Sequence, residues 1–267
     1  MSSDPCGHSY VFDNSQVQTA SRFNALEAIF DAGTKRVVAE LGLRAGWNCL
    51  EAGAGGGSIA NWLSSEVGSE GHVLATDLDT RHLKRLDRAN MTVRDHDVTR
   101  DPLPDCHFDL AHTRLLLIHL PDREQVMCKL VSSLKPGGYI LLEEFDSLSL
   151  RTNPQVNPAE SPFPTLEALH RLMADRGAEL RCGRLLAGRL RKLGLLDVGS
   201  EGRIFMWHGG SAGAQLMRAN IEQLRPAILA SGLVNATQIE DDLARLDDDG
   251  FAFPSPILWA AWGRRPF

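Results

Sequence analysis

Residues 49–60 read Cys-Leu-Glu-Ala-Gly-Ala-Gly-Gly-Gly-Ser-Ile-Ala, so a carboxylate, Glu51, stands just ahead of four glycines, Gly53, Gly55, Gly56 and Gly57. Glycine loses the most backbone entropy on folding, and this density of it would weaken a helix or a strand. It suits a tight turn that brings bare N–H groups, at the start of a helix, against a charged small molecule. The apolar lead-in of Trp47, Cys49 and Leu50 is expected to be a buried strand, and Ser58 to open the helix. Such a turn binds a ligand with backbone and acid together.

The spacing allows more than one ligand. Gly55 to Ala60 satisfies the GxGxxA variant of the dinucleotide fingerprint, and Asp77 lies near the distance expected for a ribose acid. Glu51 opposes that reading, because a carboxylate at the strand end would face a pyrophosphate of like charge. It suits a ligand that carries an ammonium and a sulfonium. Further acids follow in order. Val73-Leu74-Ala75-Thr76-Asp77 is a second apolar run ending in a carboxylate that can accept from both ribose hydroxyls. Thr80 is expected to cap a helix through Leu83 and Leu86, with Asp79 a solvated residue of its first turn. Met91-Thr92-Val93 leads into Asp95-His96-Asp97-Val98, a third strand ending in carboxylates. Those acids are either acceptors for an adenine amino group or an acidic loop. Phe108-Asp109-Leu110-Ala111-His112 forms a fourth strand. Leu134-Lys135-Pro136-Gly137-Gly138 is expected as a turn before a fifth strand, Tyr139 to Leu142, which ends in Glu143 and Glu144.

In this order the segments resemble the class I S-adenosylmethionine-dependent methyltransferases, from about Trp47 to Asp146. The resemblance rests on the EAGAGGG loop, the ATDLD acid, the DHDV segment, the FDLAHTRLLLIHL strand and helix, and the LKPGG turn. Within the family it points to the ubiquinone/menaquinone-biosynthesis-like and actinobacterial small-molecule enzymes. It implies S-adenosyl-L-methionine as cofactor and S-adenosyl-L-homocysteine as product. Glu51, Gly53, Gly55 and Gly57 would surround the methionyl moiety, and Asp77 would bind the ribose. Leu78 would pack on adenine, Asp97 with Val98 would hold its edge, and His112, Thr113 and Arg114 would border the sulfonium. N-terminal helices would fold over the cofactor, where Tyr10 or Arg22 would touch it if they do not serve packing. The last strand would be antiparallel. The fourth glycine and the Glu143-Glu144 pair are not universal in the family.

The implied reaction is in-line attack of a small-molecule nucleophile, at O, N or C, on the sulfonium methyl. A secondary-metabolite or quinone-like acceptor is expected. The leaving group is a neutral thioether, so proximity and orientation supply much of the catalysis. A hydroxyl acceptor would still gain from a general base. His119, one turn into the helix expected after strand four, is a candidate, with a core or capping role as its alternative. Glu144 and Asp146 are further candidates, or solvated loop acids. His112 would orient the methionyl end or the substrate. Arg114 would bind a substrate carboxylate or pair with a neighbouring acid. Two other readings stay open: a cyclase or other member that binds the cofactor without using its methyl, and a nicotinamide-dependent oxidoreductase. Glu51 and the LKPGG turn disfavour the second.

Setting these side chains along one edge requires strands and helices in alternation. That gives an α/β, Rossmann-like fold: a seven-stranded, mostly parallel sheet with helices on both faces and ligands outside the carboxyl ends of the strands. The 267 residues are expected to form a single domain. Residues 1–44 would be an N-terminal helical cap, with Phe23, Leu26, Ile29 and Phe30 on one helix face. Residues 45–147 would be the cofactor-binding core, and 148–182 and 207–253 the substrate-side segments. Leu148 to Pro164 reads as a loop. A helix with Leu166, Leu169 and Met173 follows, closed by Gly177, then another over about 183–193. Val198 to Met206 and Ile257 to Trp262 are the sixth and seventh strands. Between them one helical pattern carries Met217, Ile221, Leu224 and Ile228, and Pro226 is expected to kink or divide it. A second opens with a Thr237-x-x-Glu240 capping box. This insertion is too long for a hairpin loop and reads as a lid or substrate wall, or as a homodimer surface.

Composition narrows the class. A net charge of −6 and scattered arginines argue against a nucleic-acid surface. No signal-peptide pattern opens the chain, and Leu115 to Leu120 is too short to span a bilayer, so no membrane insertion is expected. Cysteines 6, 49, 106, 128 and 182 are odd in number and lack CxxC pairing. They read as reduced thiols of a cytoplasmic enzyme, with neither a disulfide framework nor a metal site.

Overall fold

The run Asn48–Ala52 is strand β1, flanked on both sides within a seven-stranded sheet, in the computed structural model, which describes residues 18–86, 88–150 and 163–267. The other strands are β2 (His72–Asp77), β3 (Met91–Asp95), β4 (Phe108–Arg114), β5 (Leu134–Asp146) and β6 (Leu196–Arg203). After a separate short pair, β7 (Met206–His208) and β8 (Ala252–Pro254), comes β9 (Ile257–Arg264). The order is β3-β2-β1-β4-β5-β9-β6. Strands β1 to β5 run parallel, while β9 pairs antiparallel with both β5 and β6. This is the α/β sheet expected, antiparallel last strand included.

The central strands carry apolar residues on both sides because both faces are covered. On one face Cys49, Val73, Ala75, Leu110 and Leu141 pack against Val37 and Val38 of α1 (Gln18–Glu40) and Leu63 and Val67 of α2 (Ser58–Val67). On the other face Leu50, Ala52, Ala111, Ile140 and Leu142 meet α3 (Arg123–Ser133) through Val126, Met127 and Leu130. Helix α4 (Pro164–Asp175) precedes α5 (Cys182–Lys192), whose Leu186 and Leu190 join this second core. Each fully buried leucine here is worth about 1.5–3 kcal/mol of transfer free energy.

The 207–253 stretch holds α6 (Ala212–Ala230) and α7 (Ala236–Arg245). Helix α6 packs along α1, and α4 contacts both α6 and α7. Phe163, Phe251 and Phe253 stack at centroid separations of 5.3 to 6.4 Å, and the Trp207 ring meets Phe253 edge-on at 5.7 Å. Pro226 lies inside α6 without dividing it.

Several local expectations are corrected. The helix expected from Thr80 is a single 3-10 turn, Thr80–His82, capped by Asp79, whose carboxylate accepts the Arg81 amide. Strand β3 stops at Asp95, two residues before Asp97. The LKPGG segment is the irregular start of β5, with its register shifted between Phe108 and Leu110, and Gly137 at φ 79°. Strand β6 ends at Arg203 rather than Met206. The capping box of α7 is Asn235 with Gln238, two residues before the Thr237-x-x-Glu240 pair. Asn accepts the N3 amide as well as Thr does, so the earlier pair closes the helix. Most of the expected 148–164 loop lies outside the described residues.

Candidate active site

The glycine turn forms because the carboxyl end of β1 must reverse over the end of β2. Gly53 and Ala54 donate to Thr76 O at 2.8 and 2.9 Å, and Gly55 donates to Asp77 Oδ2 at 2.8 Å. Gly53, Gly55 and Gly57 hold φ of 73°, 54° and 85°, a region costly for residues with a Cβ. The turn is also crowded. A Cβ on Gly55 would lie 3.1 Å from Phe23 Cε1, and one on Gly56 would lie 2.2 Å from Glu27 Oε1. Both neighbours come from α1, so this helix lies across the turn.

Asp77 takes the Gly55 amide on Oδ2 and the Asp79 amide on Oδ1 at 3.2 Å. Burial raises its pKa against the pull of those hydrogen bonds. Each oxygen keeps a second lone pair for a ligand hydroxyl. Next to it Leu78 is 62% exposed, an uncovered apolar side chain at the strand end. Asp97 Oδ1 accepts from Thr99 N at 2.9 Å and Thr99 Oγ1 at 2.6 Å, and Oδ2 lies 3.6 Å from Arg100 Nε. Val98 beside it is buried.

Deeper in the sheet a chain of charges crosses three strands. Register sets Glu51 of β1 opposite His112 of β4, and Arg114 of β4 opposite Glu143 of β5. His112 Nδ1 lies 2.6 Å from Glu51 Oε2, and Nε2 lies 3.2 Å from Glu143 Oε2. Burial alone would lower the His112 pKa. The Glu51 charge and hydrogen bonds to both acids outweigh it and hold the pKa up at about 9. Glu143 is drawn the other way. Burial would raise its carboxyl, but the His112 bond and charge, with Arg203 and Arg114, bring it to about 2. Thr34 Oγ1 donates to Glu143 Oε2 at 2.5 Å, and Arg203 Nη2 donates to Oε1. Arg114 donates to Asp31 Oδ1 at 2.9 Å and Thr34 Oγ1 at 3.0 Å, so it pairs with an acid of α1.

The expected catalytic side chains are engaged elsewhere. His112 is an imidazolium with both nitrogens donated to carboxylates, which leaves it unable to take a proton. His119 ends a 3-10 turn, Leu117–His119, instead of sitting on an α-helix. Burial first, and then the Arg22 charge, lower its pKa to about 3. Glu144 faces away from Glu143, since neighbours on a strand point to opposite faces. Its Oε1 accepts the Leu116 and Leu117 amides at 2.9 and 2.6 Å, and burial pushes its pKa up to about 8 against those bonds. Asp146 pairs with Arg184. Thr113 is fully buried on the face opposite His112, so it is not brought beside Arg114. Tyr10 lies outside the described residues.

Residues that the sequence did not flag complete the site: Phe23, Glu27, Asp31 and Thr34 of α1, and Arg203. Period-two alternation carried one usable signal, since it places Glu51, His112 and Glu143 on one face once the register is known. Nothing local to Thr34 or Arg203 announces their partners 109 and 60 residues away. The four cysteines among the described residues are unpaired, and no group there of three or more His, Cys, Asp or Glu could hold a metal. No described helix is long and apolar enough to cross a membrane.

Residues 50–142 match the Methyltransferase domain family. The chain is similar to the ubiquinone/menaquinone biosynthesis C-methyltransferase UbiE of Laribacter hongkongensis, 27% identical over 140 residues, covering 48% of this chain and 57% of that protein. The same enzyme of Pseudomonas putida is 30% identical over 139 residues, covering 47% and 54%. The chain thus spans little more than half the length of the curated relatives it matches. Among solved structures, phosphoethanolamine N-methyltransferase 2 of Haemonchus contortus, bound to phosphomonomethylethanolamine and S-adenosylhomocysteine, superposes with TM-score 0.59 at 20% identity. That likeness covers 94% of this chain and 58% of the other. A Bacillus halodurans protein described as a putative methyltransferase gives TM-score 0.57 at 17% identity, covering 87% and 98%. These likenesses bear on the fold.

Proposed function

We infer, from residues 50–142 matching the methyltransferase domain and from the sheet closed by an antiparallel last strand, that the chain belongs to the class I S-adenosylmethionine-dependent methyltransferases, and on that premise that it methylates a small molecule. The observation that carries the reading is the glycine turn held to Asp77, with Glu51 behind it and exposed Leu78 beside it. These groups fit S-adenosyl-L-methionine. Asp77 has lone pairs for ribose hydroxyls, the left-handed glycines put no Cβ at positions 53, 55 and 57, and Leu78 offers an apolar surface to a flat ring. Glu51, Gly53, Gly55 and Gly57 would hold the methionyl end, and Asp97 with Val98 the adenine edge.

When bound, the cofactor supplies an electrophilic methyl on a sulfonium whose leaving group is neutral. The chain contributes binding and orientation, which account for much of the rate in such a displacement. His112 and Glu144 are held by hydrogen bonds within the fold, and burial lowers the His119 pKa to about 3. That supports an acceptor whose nucleophilic atom needs no strong base, such as an electron-rich ring carbon. A quinone-like ring is also supported by the C-methyltransferases among the relatives and by an aromatic group at the carboxyl end of β5. There Phe30 meets Phe145 at 5.5 Å and Phe205 at 6.0 Å.

The test is incubation of the chain with methyl-labelled S-adenosylmethionine and a panel of quinols and phenols. Label in a quinol product supports the reading. Tight cofactor binding without transfer to any acceptor would favour the role that does not use the methyl.

A further inference from the structure

Glu51 is a flexible side chain asked to face one end of a ligand, and what fixes it lies outside the glycine turn. It is 3% exposed, and its Oε2 is 2.6 Å from His112 Nδ1. His112, 1% exposed, spans to Glu143 through its other nitrogen. Glu143 in turn takes the Thr34 hydroxyl of α1 and the Arg203 guanidinium of β6. A carboxylate held by a buried cation, itself clamped by a second acid, has lost its rotamer freedom before any ligand arrives, and such support tightens binding. Helix α1 carries Thr34 against Glu143 at one part and Phe23 and Glu27 over the glycine turn at another, so one element contacts both the turn and the second acid.

Resting on the cofactor reading above, we propose that His112 is a positioning residue: bridging Glu51 and Glu143, it fixes the Glu51 carboxylate toward the aminoacyl end of the ligand and ties it to the docking of helix α1 through Thr34. His112 touches neither cofactor nor acceptor and acts through Glu51.

The test compares two ligands by calorimetric titration of the full chain. S-adenosylhomocysteine has the aminoacyl end, and 5′-methylthioadenosine lacks it. His112→Asn is expected to weaken the first by about tenfold, the loss of one charge-assisted hydrogen bond, while leaving the second within about twofold. Glu51→Gln should give the same split, and the double variant should lose little more than either single one. If His112→Asn fails to fold, Thr34→Val removes the hydroxyl that donates to Glu143 and accepts from Arg114, leaves His112 in place, and should show the split at about threefold. Equal loss for both ligands, or loss for neither, in the folded variants would overturn the positioning role. A parent chain that binds neither ligand would overturn the cofactor reading itself, and this role with it.

Discussion

The amide of Gly55 and the carboxylate of Asp77 meet at 2.8 Å, and this bond joins the turn after β1 to the end of β2. It gives one acid two tasks, shaping the turn and offering its remaining lone pairs to a ligand. The tasks separate by substitution. Asp77→Asn keeps an acceptor for Gly55, whereas Asp77→Ala removes it. Asp77→Ala should weaken S-adenosylhomocysteine by about 1–3 kcal/mol in a calorimetric titration, and Asp77→Asn by less. An unchanged affinity in folded Asp77→Ala would remove this residue from the site.

Glycine has different meanings at different positions of the chain, and thermal unfolding will read them. Gly57→Ala places a Cβ 2.4 Å from Leu86 and 2.7 Å from Leu83 in a left-handed conformation. It should cost about 1–3 kcal/mol or more. Gly188 lies within α5, with nothing within 4 Å of an added Cβ and no left-handed angle. Gly188→Ala should instead raise stability by about 0.5–1 kcal/mol. The same sign for both would contradict this account of the turn.

Stability should fall as pH rises from about 6.5 toward 9, above the range in which His119, lowered from 6.5 to about 3, contributes the opposite slope. The Glu144 pKa is raised from 4.5 to about 8, so the folded chain keeps a proton there that the unfolded chain has lost, and unfolding releases it across that window. His112, raised from 6.5 to about 9, adds in the same sense, since its stabilisation is complete below 6.5 and lost through 9. Each group changes the slope by at most about 1.4 kcal/mol per pH unit. Glu144→Gln keeps an oxygen for the Leu116 and Leu117 amides without a titrating proton. Its stability between about pH 6.5 and 8 should depend less steeply on pH than the parent's. An unaltered slope would show that Glu144 is ionised in the folded chain.

The sheet was legible because apolar runs ending in acids recur in order, and burial on both faces demands such runs. Glu51, Asp77 and the glycines were legible for the same reason, as they punctuate strand ends. Protonation states were not, because His112 and His119 differ only in surroundings. One lies between two carboxylates, and the other lies buried near a cation. Thr34 and Arg203 were invisible because their partner, Glu143, is reached only through the assembled sheet. The α7 cap was misplaced by two residues because two overlapping segments satisfy one pattern, and only packing chooses between them.

The central claim is that the glycine turn and its acids receive an adenosyl sulfonium ligand. The most direct measurement is calorimetric titration of the full chain with S-adenosylmethionine, S-adenosylhomocysteine and NADH. Saturable binding of both adenosyl ligands and none of NADH is the predicted result. Binding of NADH with neither adenosyl ligand bound would contradict it.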